Sequence, residues 1–282
     1  MSSAAFLPLP WPDLPIAEAT WVCVDVETTG LEVGEGHRVC EVAAVKGAME
    51  GAADELSSLV NPERPLDPGA ARVSGLSDVA LAGAPPFSGI AADVHAFLSN
   101  AVIVAHNAPF DVGFLEAEFA RCGLRLPQAP ILDTTVVAQA VLGLPMRNLA
   151  GVSRALGLAS QPTHRALDDA RATREVLLHG LRRLAGRGVA TVGDVIESLL
   201  PAIPPNLPLA DDPLPAIRAA LMAGRDLRLT YLGGTTPGER LIRPIRLEER
   251  AGAFMLSAWC RDRQAPRTFR LDRIASAQLT SA

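Results

Sequence analysis

The strongest constraint on this 282-residue chain is a pair of acidic residues inside an apolar strand, in the stretch VCVDVET at residues 22–28. Side chains of a strand alternate between its two faces, so three valines share one face while Asp25 and Glu27 share the other. Two neighbouring carboxylates repel each other and resist burial. The fold must therefore place the end of this strand where positive charge offsets the repulsion.

Two later segments supply carboxylates of the same kind. Asp111 lies in the first turn of a predicted helix that follows a short buried strand at residues 101–106. His164 and Asp169 lie at the start of a long predicted helix. The helical period places Asp169 on the apolar stripe of that helix and Asp168 on its polar face. We therefore expect Asp169 to point into the fold and Asp168 to point at water.

A cluster of inward carboxylates indicates a site for hard divalent cations, which prefer oxygen ligands. Two such ions, Mg²⁺ or Mn²⁺, would clamp both the attacking and the leaving oxygen of a phosphoryl displacement. A neutral histidine beside them would take the proton from the attacking water. The predicted metal ligands are Asp25, Glu27, Asp111 and Asp169, and the predicted general base is His164.

Three short motifs, DVETTG, HNAPFD and HRALDDA, resemble in order and spacing the motifs of the DEDDh group of 3′→5′ exonucleases, which includes the DnaQ-like proofreading subunits. The resemblance covers roughly residues 20–185. It implies a ribonuclease H-like α/β fold, in which helices flank a mixed sheet, with two Mg²⁺ or Mn²⁺ ions as cofactors. It gives the carboxylates and the histidine the same catalytic roles, and it assigns contacts with the substrate to Thr28, Thr29, Gly30, Asn107 and Phe110.

One motif departs from the family pattern. In the stretch RVSGLSD at residues 72–78, Ser74 stands where family members often have histidine. Because Ser74 lies outside the catalytic set, we expect the change to affect substrate preference more than activity.

A proline-rich acidic segment without periodicity divides the chain into two folded parts. We predict a loose N-terminal arm at 1–19, an exonuclease domain at 20–200, a flexible linker at 201–214 and a β-barrel domain at 215–282. Within the exonuclease domain, the stretch ILDTTVVAQAVLG at 131–143 is predicted to start a helix, with Asp133 or Thr134 as its cap. Asn107 is predicted to cap the helix that carries Asp111.

The C-terminal part is predicted to form four strands separated by turns, which is enough for a small barrel. The stretches LTYLGG, RPIRLEE, MLSAWC and RTFRLDRI resemble a WYL domain, an Sm/SH3-like barrel that binds nucleic acid or nucleotide ligands in bacterial regulators. Phe254, Met255 and Leu256 replace the signature Trp-Tyr-Leu, which removes aromatic rings available for base stacking. The candidate contacts with nucleic acid are Arg243, Arg267, Arg270 and Arg273.

Charge is unevenly divided between the two parts. Residues 1–200 contain 14 basic and 23 acidic side chains, a net charge of −9, whereas residues 214–282 contain 12 arginines and 6 acids, a net charge of +6. Arginine has a planar fork that suits phosphate, although a GC-rich genome would produce the same preference for arginine. The basic tail predicts that the barrel assists nucleic-acid binding.

The cysteines indicate the compartment. Cys23, Cys40, Cys122 and Cys260 form no closely spaced pair, which favours reduced thiols in a cytoplasm over disulfides or a zinc site. No apolar run is long enough to cross a bilayer, so we expect a cytoplasmic protein without a membrane partner.

The sequence therefore predicts a metal-dependent 3′→5′ exonuclease that acts on single-stranded DNA ends. A 3′→5′ exoribonuclease on short RNA is the nearest alternative, because the sequence does not show how the site meets a 2′-hydroxyl. A WYL-type nucleic-acid-binding regulator with a secondary nuclease domain is a third hypothesis, and the intact acidic set argues against it. The expected partners are 3′ ends of single-stranded DNA or RNA, and DNA repair or replication proteins.

Overall fold

The computed structural model of the protein describes residues 11–204, 209, 212–234 and 236–280, and these residues form two five-stranded sheets. The first sheet is mixed. It consists of β1 (Trp21–Thr28), β2 (Val39–Gly47), β3 (Asp54–Leu59), β4 (Val102–Ala105) and β5 (Ile131–Asp133), in the order β3-β2-β1-β4-β5. β2 pairs antiparallel with β1 and β3, while β4 pairs parallel with β1 and β5.

Helices cover both faces of the first sheet, as predicted. They are α1 (Pro68–Ser74), α2 (Asp78–Ala82), α3 (Phe87–Leu98), α4 (Ala108–Arg121), α5 (Thr134–Val136), α6 (Leu149–Leu156), α7 (Ala166–Ala185) and α8 (Val192–Leu199). A π-helical turn at Val137–Val141 follows α5. The valine face of β1 packs in one core cluster with α3 and α4, and the opposite face, with Cys23, packs against the leucines of α7. The alternation within β1 therefore decides which helix each side chain meets.

The helix predicted to start within 131–143 begins at Thr134, with Asp133 as its N-cap. Ile131 and Leu132, which precede the cap, form the short strand β5 by parallel pairing with β4, a strand that the sequence pattern did not predict. Asp133 does cap the following turn, since its side chain accepts a hydrogen bond from the Thr135 N at 2.8 Å.

The C-terminal part consists of α9 (Leu214–Ala223) and an antiparallel sheet in the order β10-β6-β7-β8-β9. The strands are β6 (Leu227–Tyr231), β7 (Gly238–Arg250), β8 (Ala253–Cys260), β9 (Ala265–Arg270) and β10 (Ile274–Leu279). The fourth predicted strand is thus two strands, separated by a 3₁₀ turn at Leu271–Arg273. This turn connects opposite edges of the sheet, and three residues span at most about 10 Å. The sheet is therefore rolled, in agreement with a barrel.

The two parts share one hydrophobic core instead of being joined by a free tether. Ile245 and Trp259 of the C-terminal sheet belong to the same buried cluster as the valines of β1. Ile203 and Leu209, which fall in the predicted linker, also pack against the core. Residues 205–208 and 210–211 lie outside the described residues. Within the described part of 201–214, these two partly buried side chains argue against a freely flexible linker.

The predicted loose arm is also partly corrected. Residues 1–10 lie outside the described residues, but Trp11–Asp13 forms a 3₁₀ turn. Ile16 is buried, and its N donates to the Ala190 carbonyl at 2.9 Å. Residues 11–19 therefore pack on the domain, because their apolar side chains complete the core beside α8.

Across the described residues, no helix combines the length and the apolar character needed to traverse a membrane.

Candidate active site

An open cleft of about 610 Å³ lies where β1 ends and where α4 and α7 begin. β1 and β4 run parallel, so the end of β1 and the helix that follows β4 meet at the same edge of the sheet. Nine of the ten predicted site residues line this cleft. They are Asp25, Glu27, Thr28, Gly30, Asn107, Phe110, Asp111, His164 and Asp169.

Backbone hydrogen bonds fix two of the carboxylates. The Val26 N donates to Asp111 Oδ1 at 3.1 Å, which joins α4 to β1. Thr163 N and His164 N donate to Asp169 Oδ1 at 2.9 and 3.2 Å. His164 has φ 58°, a left-handed conformation that is uncommon for a non-glycine residue. Its strain at the cleft is consistent with a functional position.

The imidazole of His164 comes close to two of the acids. Ligand atoms of Glu27, His164 and Asp169 all lie within 4.8 Å of one another. His164 is exposed at the mouth of the cleft, whereas Asp169 is only 7% exposed. A base in this position has access both to solvent and to groups held by the carboxylates.

The four cleft carboxylates are electrostatically unfavourable without a cation. Burial raises the pKa of Asp25 well above its ordinary value, and the neighbouring Asp111 and Asp169 raise it further. Burial and then Asp169 raise the pKa of Glu27 from 4.5 to about 8. Burial also raises the pKa of Asp111 and of Asp169, against the opposing effect of backbone N–H groups. Carboxylate oxygens are the ligands that Mg²⁺ and Mn²⁺ prefer, so this donor set fits either ion.

Asp168 and Asp169 lie on different faces of α7, as the helical period predicts. Asp168 is partly exposed, accepts a hydrogen bond from Thr163 Oγ1 at 2.7 Å and lies 3.6 Å from an Arg171 guanidinium nitrogen. Asp169 points into the cleft from the buried side of α7.

Glu41 is a buried acid near the cleft that the motif analysis missed. It lies opposite Glu27 in the β1–β2 pairing. Unlike Glu27, it is matched by a cation, since Arg165 Nη2 donates to it at 2.7 Å and the Ala166 N donates to it at 3.1 Å. Glu41 therefore anchors the start of α7. A single acid in the apolar run RVCEVAAV was the signal that could have revealed it.

Thr29 is the predicted site residue that does not reach the cleft. It is fully buried, and its hydroxyl accepts a hydrogen bond from the Arg38 N at 3.0 Å and contacts His37 Nδ1 at 3.1 Å. The Thr29 side chain is therefore not available to a substrate in the cleft, because its hydroxyl is already engaged. Gly30 is required beside it, since a Cβ there would lie 2.2 Å from the His37 ring.

Asn107 occupies the N-cap position of α4 but does not cap it through its side chain. The Asp133 carboxylate takes this role, because it accepts hydrogen bonds from Asn107 N and Ala108 N, both at 3.0 Å. Asn107 itself is left-handed, with φ 66°. Its side chain lines the cleft, where the resemblance to the DEDDh group places it.

One rim of the cleft is apolar. Leu31 and Val73 are 78% and 54% exposed, and both line the cleft beside the start of α1. Ser74, the departure from the family pattern, is buried away from the cleft and donates to the Ala70 carbonyl at 3.0 Å. Its neighbour Val73 is thus the residue of this motif that can meet a substrate.

The C-terminal arginines divide into two groups. Arg243 is 1% exposed, and its guanidinium donates to the carbonyls of Leu126, Pro127 and Ala129 at 2.7–3.0 Å. The prediction that Arg243 contacts nucleic acid is therefore wrong, because its donors are used inside the protein. The other three candidates, Arg267, Arg270 and Arg273, line a groove of about 680 Å³ together with Arg240 and Arg263. We call this groove the arginine groove.

Family comparisons match the two parts separately. Residues 22–177 match the family described as Exonuclease (RNase_T), and residues 212–279 match the WYL domain. The exonuclease match covers just over half of the chain and contains every residue predicted to act in catalysis.

Related proteins include a candidate bifunctional exonuclease/endonuclease of Mycobacterium tuberculosis, 36% identical over 202 residues, which are 69% of this chain and 31% of that protein. The chain thus spans about a third of the length of this relative. DNA polymerase III subunit epsilon of Treponema pallidum is 37% identical over 155 residues, which are 54% of this chain and 72% of the subunit. Among solved structures, E. coli exonuclease I in complex with a dA16 oligonucleotide has a TM-score of 0.56 at 16% identity, over 86% of this chain and 55% of that chain. This last likeness concerns the fold alone.

Because the family match, the epsilon subunit and the architecture agree, the chain belongs to the DnaQ-like exonuclease family, and a WYL domain follows its exonuclease domain.

Proposed function

We propose that the protein is a metal-dependent 3′→5′ exonuclease that hydrolyses single-stranded DNA from its 3′ end. The observation that carries this proposal is the convergence of Asp25, Glu27, Asp111 and Asp169 in one cleft, where none of the four forms an ion pair with an arginine or lysine of the described residues. Two Mg²⁺ or Mn²⁺ ions held by these carboxylates would supply charge stabilisation for the displacement at phosphorus. The direction of digestion rests on the resemblance of the three motifs to the DEDDh group.

His164 is proposed to remove the proton from the attacking water. Its ring lies within reach of the Glu27 and Asp169 carboxylates and faces solvent, as a base that returns its proton to water requires. The hydrogen bonds of Thr163 N and His164 N to Asp169 hold this segment in place.

The rest of the cleft suits a terminal nucleotide. Leu31, Val73 and the partly buried Phe110 offer apolar surface to a base and sugar. Asn107 offers an amide for hydrogen bonding, and Thr28 shapes the turn by donating to the Gly30 carbonyl at 2.7 Å. The combination favours an unpaired end, because apolar rims contact bases only when these are unstacked.

The arginine groove is proposed to attract the phosphates of the same strand. Strand β9, which carries Arg267 and Arg270, packs against α4 and against the 3₁₀ turn at Val33–Glu35 next to the cleft rim. The groove and the cleft are therefore connected by packed elements, and a strand of several nucleotides would be held at both ends.

The test is digestion of single-stranded DNA and RNA carrying either a 3′ or a 5′ label, with Mg²⁺, Mn²⁺ or a chelator. The proposal expects immediate release of the 3′ label as mononucleotide, a shortening ladder from the 5′-labelled strand, and no reaction with chelator. Faster digestion of RNA would favour the exoribonuclease. Absence of digestion with either metal would favour a regulator with an inactive nuclease domain.

A further inference from the structure

An arginine from the C-terminal domain contacts Asn107, a residue that lines the cleft. Arg246 lies on β7, is only 6% exposed, and approaches Asp133 of β5 with 2.5 Å between Nη1 and Oδ2. Its other terminal nitrogen donates to Glu248 Oε1 at 2.8 Å. The guanidinium is thus fixed between one acid from each domain.

Asp133 is the residue through which Arg246 acts on α4. Its carboxylate accepts from Asn107 N and Ala108 N, the first free N–H groups of that helix, and also from Thr135 N and Thr135 Oγ1. Asp111 follows Ala108 by three residues in the same first turn. The orientation of Asp133 therefore fixes the first turn of α4, and with it the position from which the Asp111 side chain points into the cleft.

Asn107 depends on the same contact. Its left-handed backbone is unfavourable for a non-glycine residue and persists only when its surroundings fix it. Arg246 Nη1 lies 3.4 Å from Asn107 Oδ1, so it also touches the side chain that lines the cleft. Losing Arg246 would release both the backbone anchor and the amide.

A second chain of hydrogen bonds connects Glu248 of β7 to His106, the residue before Asn107 in the cleft lining. Glu248 accepts from Arg147 Nη2 at 3.0 Å, and the Arg147 carbonyl accepts from His106 Nε2 at 2.7 Å. His106 lines the cleft directly before Asn107. Two separate hydrogen-bonded routes therefore run from β7 to the same segment of the cleft.

We propose that Arg246 is a positioning residue of the exonuclease site, by which the WYL domain holds the start of α4 so that Asp111 and Asn107 meet metal and substrate. This inference rests on the proposed function. It gives the C-terminal domain a role in completing the site that does not require it to bind nucleic acid. Partners that orient metal ligands typically contribute about 10–100-fold to metal affinity or activity.

The test compares Arg246→Lys with Arg250→Met. Lysine keeps a positive charge beside Asp133 but lacks the planar fork needed to contact Asp133, Asn107 and Glu248 together. Arg250 is exposed, donates to the same Glu248 oxygen at 2.8 Å and touches neither Asp133 nor Asn107, so its variant is the matched control. Mn²⁺ binding is measured by calorimetry without DNA, and kcat and KM are measured on a short oligonucleotide.

Arg246→Lys is expected to weaken Mn²⁺ binding by about tenfold and to raise KM, while Arg250→Met matches the natural protein. A role in stability alone would lower the active fraction without changing Mn²⁺ affinity or KM. If Arg246→Lys does not fold, Glu248→Gln takes its place, since it loosens Arg246 without leaving Asp133 unpaired, and a smaller change in the same direction is expected. Natural Mn²⁺ affinity and KM in the folded variant would overturn the inference.

Asp111→Asn separates this inference from the proposed function. If that variant loses Mn²⁺ binding and digestion while Arg246→Lys retains both, only the role of Arg246 fails. If Asp111→Asn retains both, the metal site itself is wrong.

Discussion

The cleft and the interface between the two domains both contain buried carboxylates. Those of the interface pair with arginines, whereas those of the cleft do not pair with any arginine of the described residues. At the interface, Glu116 lies 3.5 Å from an Arg243 nitrogen and 2.5 Å from one of Arg261, and Asp133 lies 2.5 Å from Arg246. In the cleft, no arginine of the described ranges forms an ion pair with the four predicted metal ligands.

This difference separates structural acids from functional ones. A buried carboxylate beside a guanidinium is compensated within the chain, and removing either partner leaves an uncompensated charge. The cleft cluster, which lacks such ion pairs among the described residues, keeps raised pKa values, as expected of the proposed cation site. Burial alone would not have distinguished the two regions, because Asp111 and Asp169 of the cleft are buried like Glu116 and Asp133 of the interface.

The largest expected effect is loss of a cleft carboxylate. Asp169→Ala should reduce digestion of single-stranded DNA by on the order of 10³-fold or more, because the remaining ligands cannot hold both ions. Asp25→Ala, Glu27→Ala and Asp111→Ala should do the same. Asp168→Ala, one residue away on the polar face, is the control and should retain its rate. An inactive Asp168→Ala beside an active Asp169→Ala would reverse the assignment of the helical face.

His164→Ala should lower the turnover rate by about 10²–10⁴-fold, the usual contribution of a general base. Metal and DNA binding should persist, because the four carboxylates remain. Single-turnover rates at saturating Mn²⁺, together with calorimetric Mn²⁺ binding, check both expectations. Unchanged turnover would remove His164 from the mechanism.

At the interface the expected loss is of stability. Glu116→Ala leaves Arg243 buried without its acidic partner and should lower the free energy of unfolding by about 3–5 kcal/mol. Glu197→Ala breaks the half-exposed pair with Arg218 and should cost about 0–1 kcal/mol. Urea denaturation of both variants measures the difference. Equal losses would mean that the interface does not depend on its buried ion pairs.

The cleft should make the metal-free protein less stable as the pH rises. A carboxyl whose pKa is raised in the folded state binds protons that the unfolded chain has released, so stability decreases between the two pKa values. For Glu27 this interval runs from 4.5 to about 8. Mg²⁺ or Mn²⁺ binds the ionised form and should therefore raise the Tm more at about pH 8 than at about pH 6. Thermal melts with and without metal at both values test this, and an equal metal effect at both would contradict it.

The smallest expected effect concerns the arginine groove. Substituting Arg267, Arg270 and Arg273 by alanine should flatten the log–log salt dependence of single-strand binding by about 2 units, since each phosphate contact contributes about 0.7. Short substrates should be digested normally. The control with the same charge change replaces the exposed Arg182, Arg183 and Arg187 at the end of α7. Equal slopes for the two triple variants would mean that the groove does not hold the strand.

The predicted catalytic residues could be chosen from the sequence because strand and helix periodicity indicates which face each side chain occupies. Alternation along a strand put Asp25 and Glu27 on one face, and the helical period separated Asp169 from Asp168. These rules depend only on neighbours a few residues away. The structure brings all the residues so chosen into one cleft, as the order of the three motifs predicted.

The side-chain contacts of Thr29, the strand β5 and the cap of α4 depend on partners outside their own segments, which local patterns do not show. The Thr29 hydroxyl is engaged by a neighbouring segment, and Asp133 replaces Asn107 as the cap from 26 residues away in the chain. The four-strand reading of the barrel failed similarly, since only the rolled sheet assigns β9 and β10 to opposite edges.

Short-range spacing was enough to predict the two architectures, the acidic cluster and its likeness to a nuclease. The contacts of each arginine, in contrast, are visible only once the chain is folded. Arg243, Arg246 and Arg267 look alike in the basic tail, yet the first is buried at the interface, the second meets Asp133 across 113 residues of chain, and the third is exposed. Which acid an arginine contacts depends on which surfaces pack together. Packing between segments that are distant in the chain produces no local pattern in the sequence.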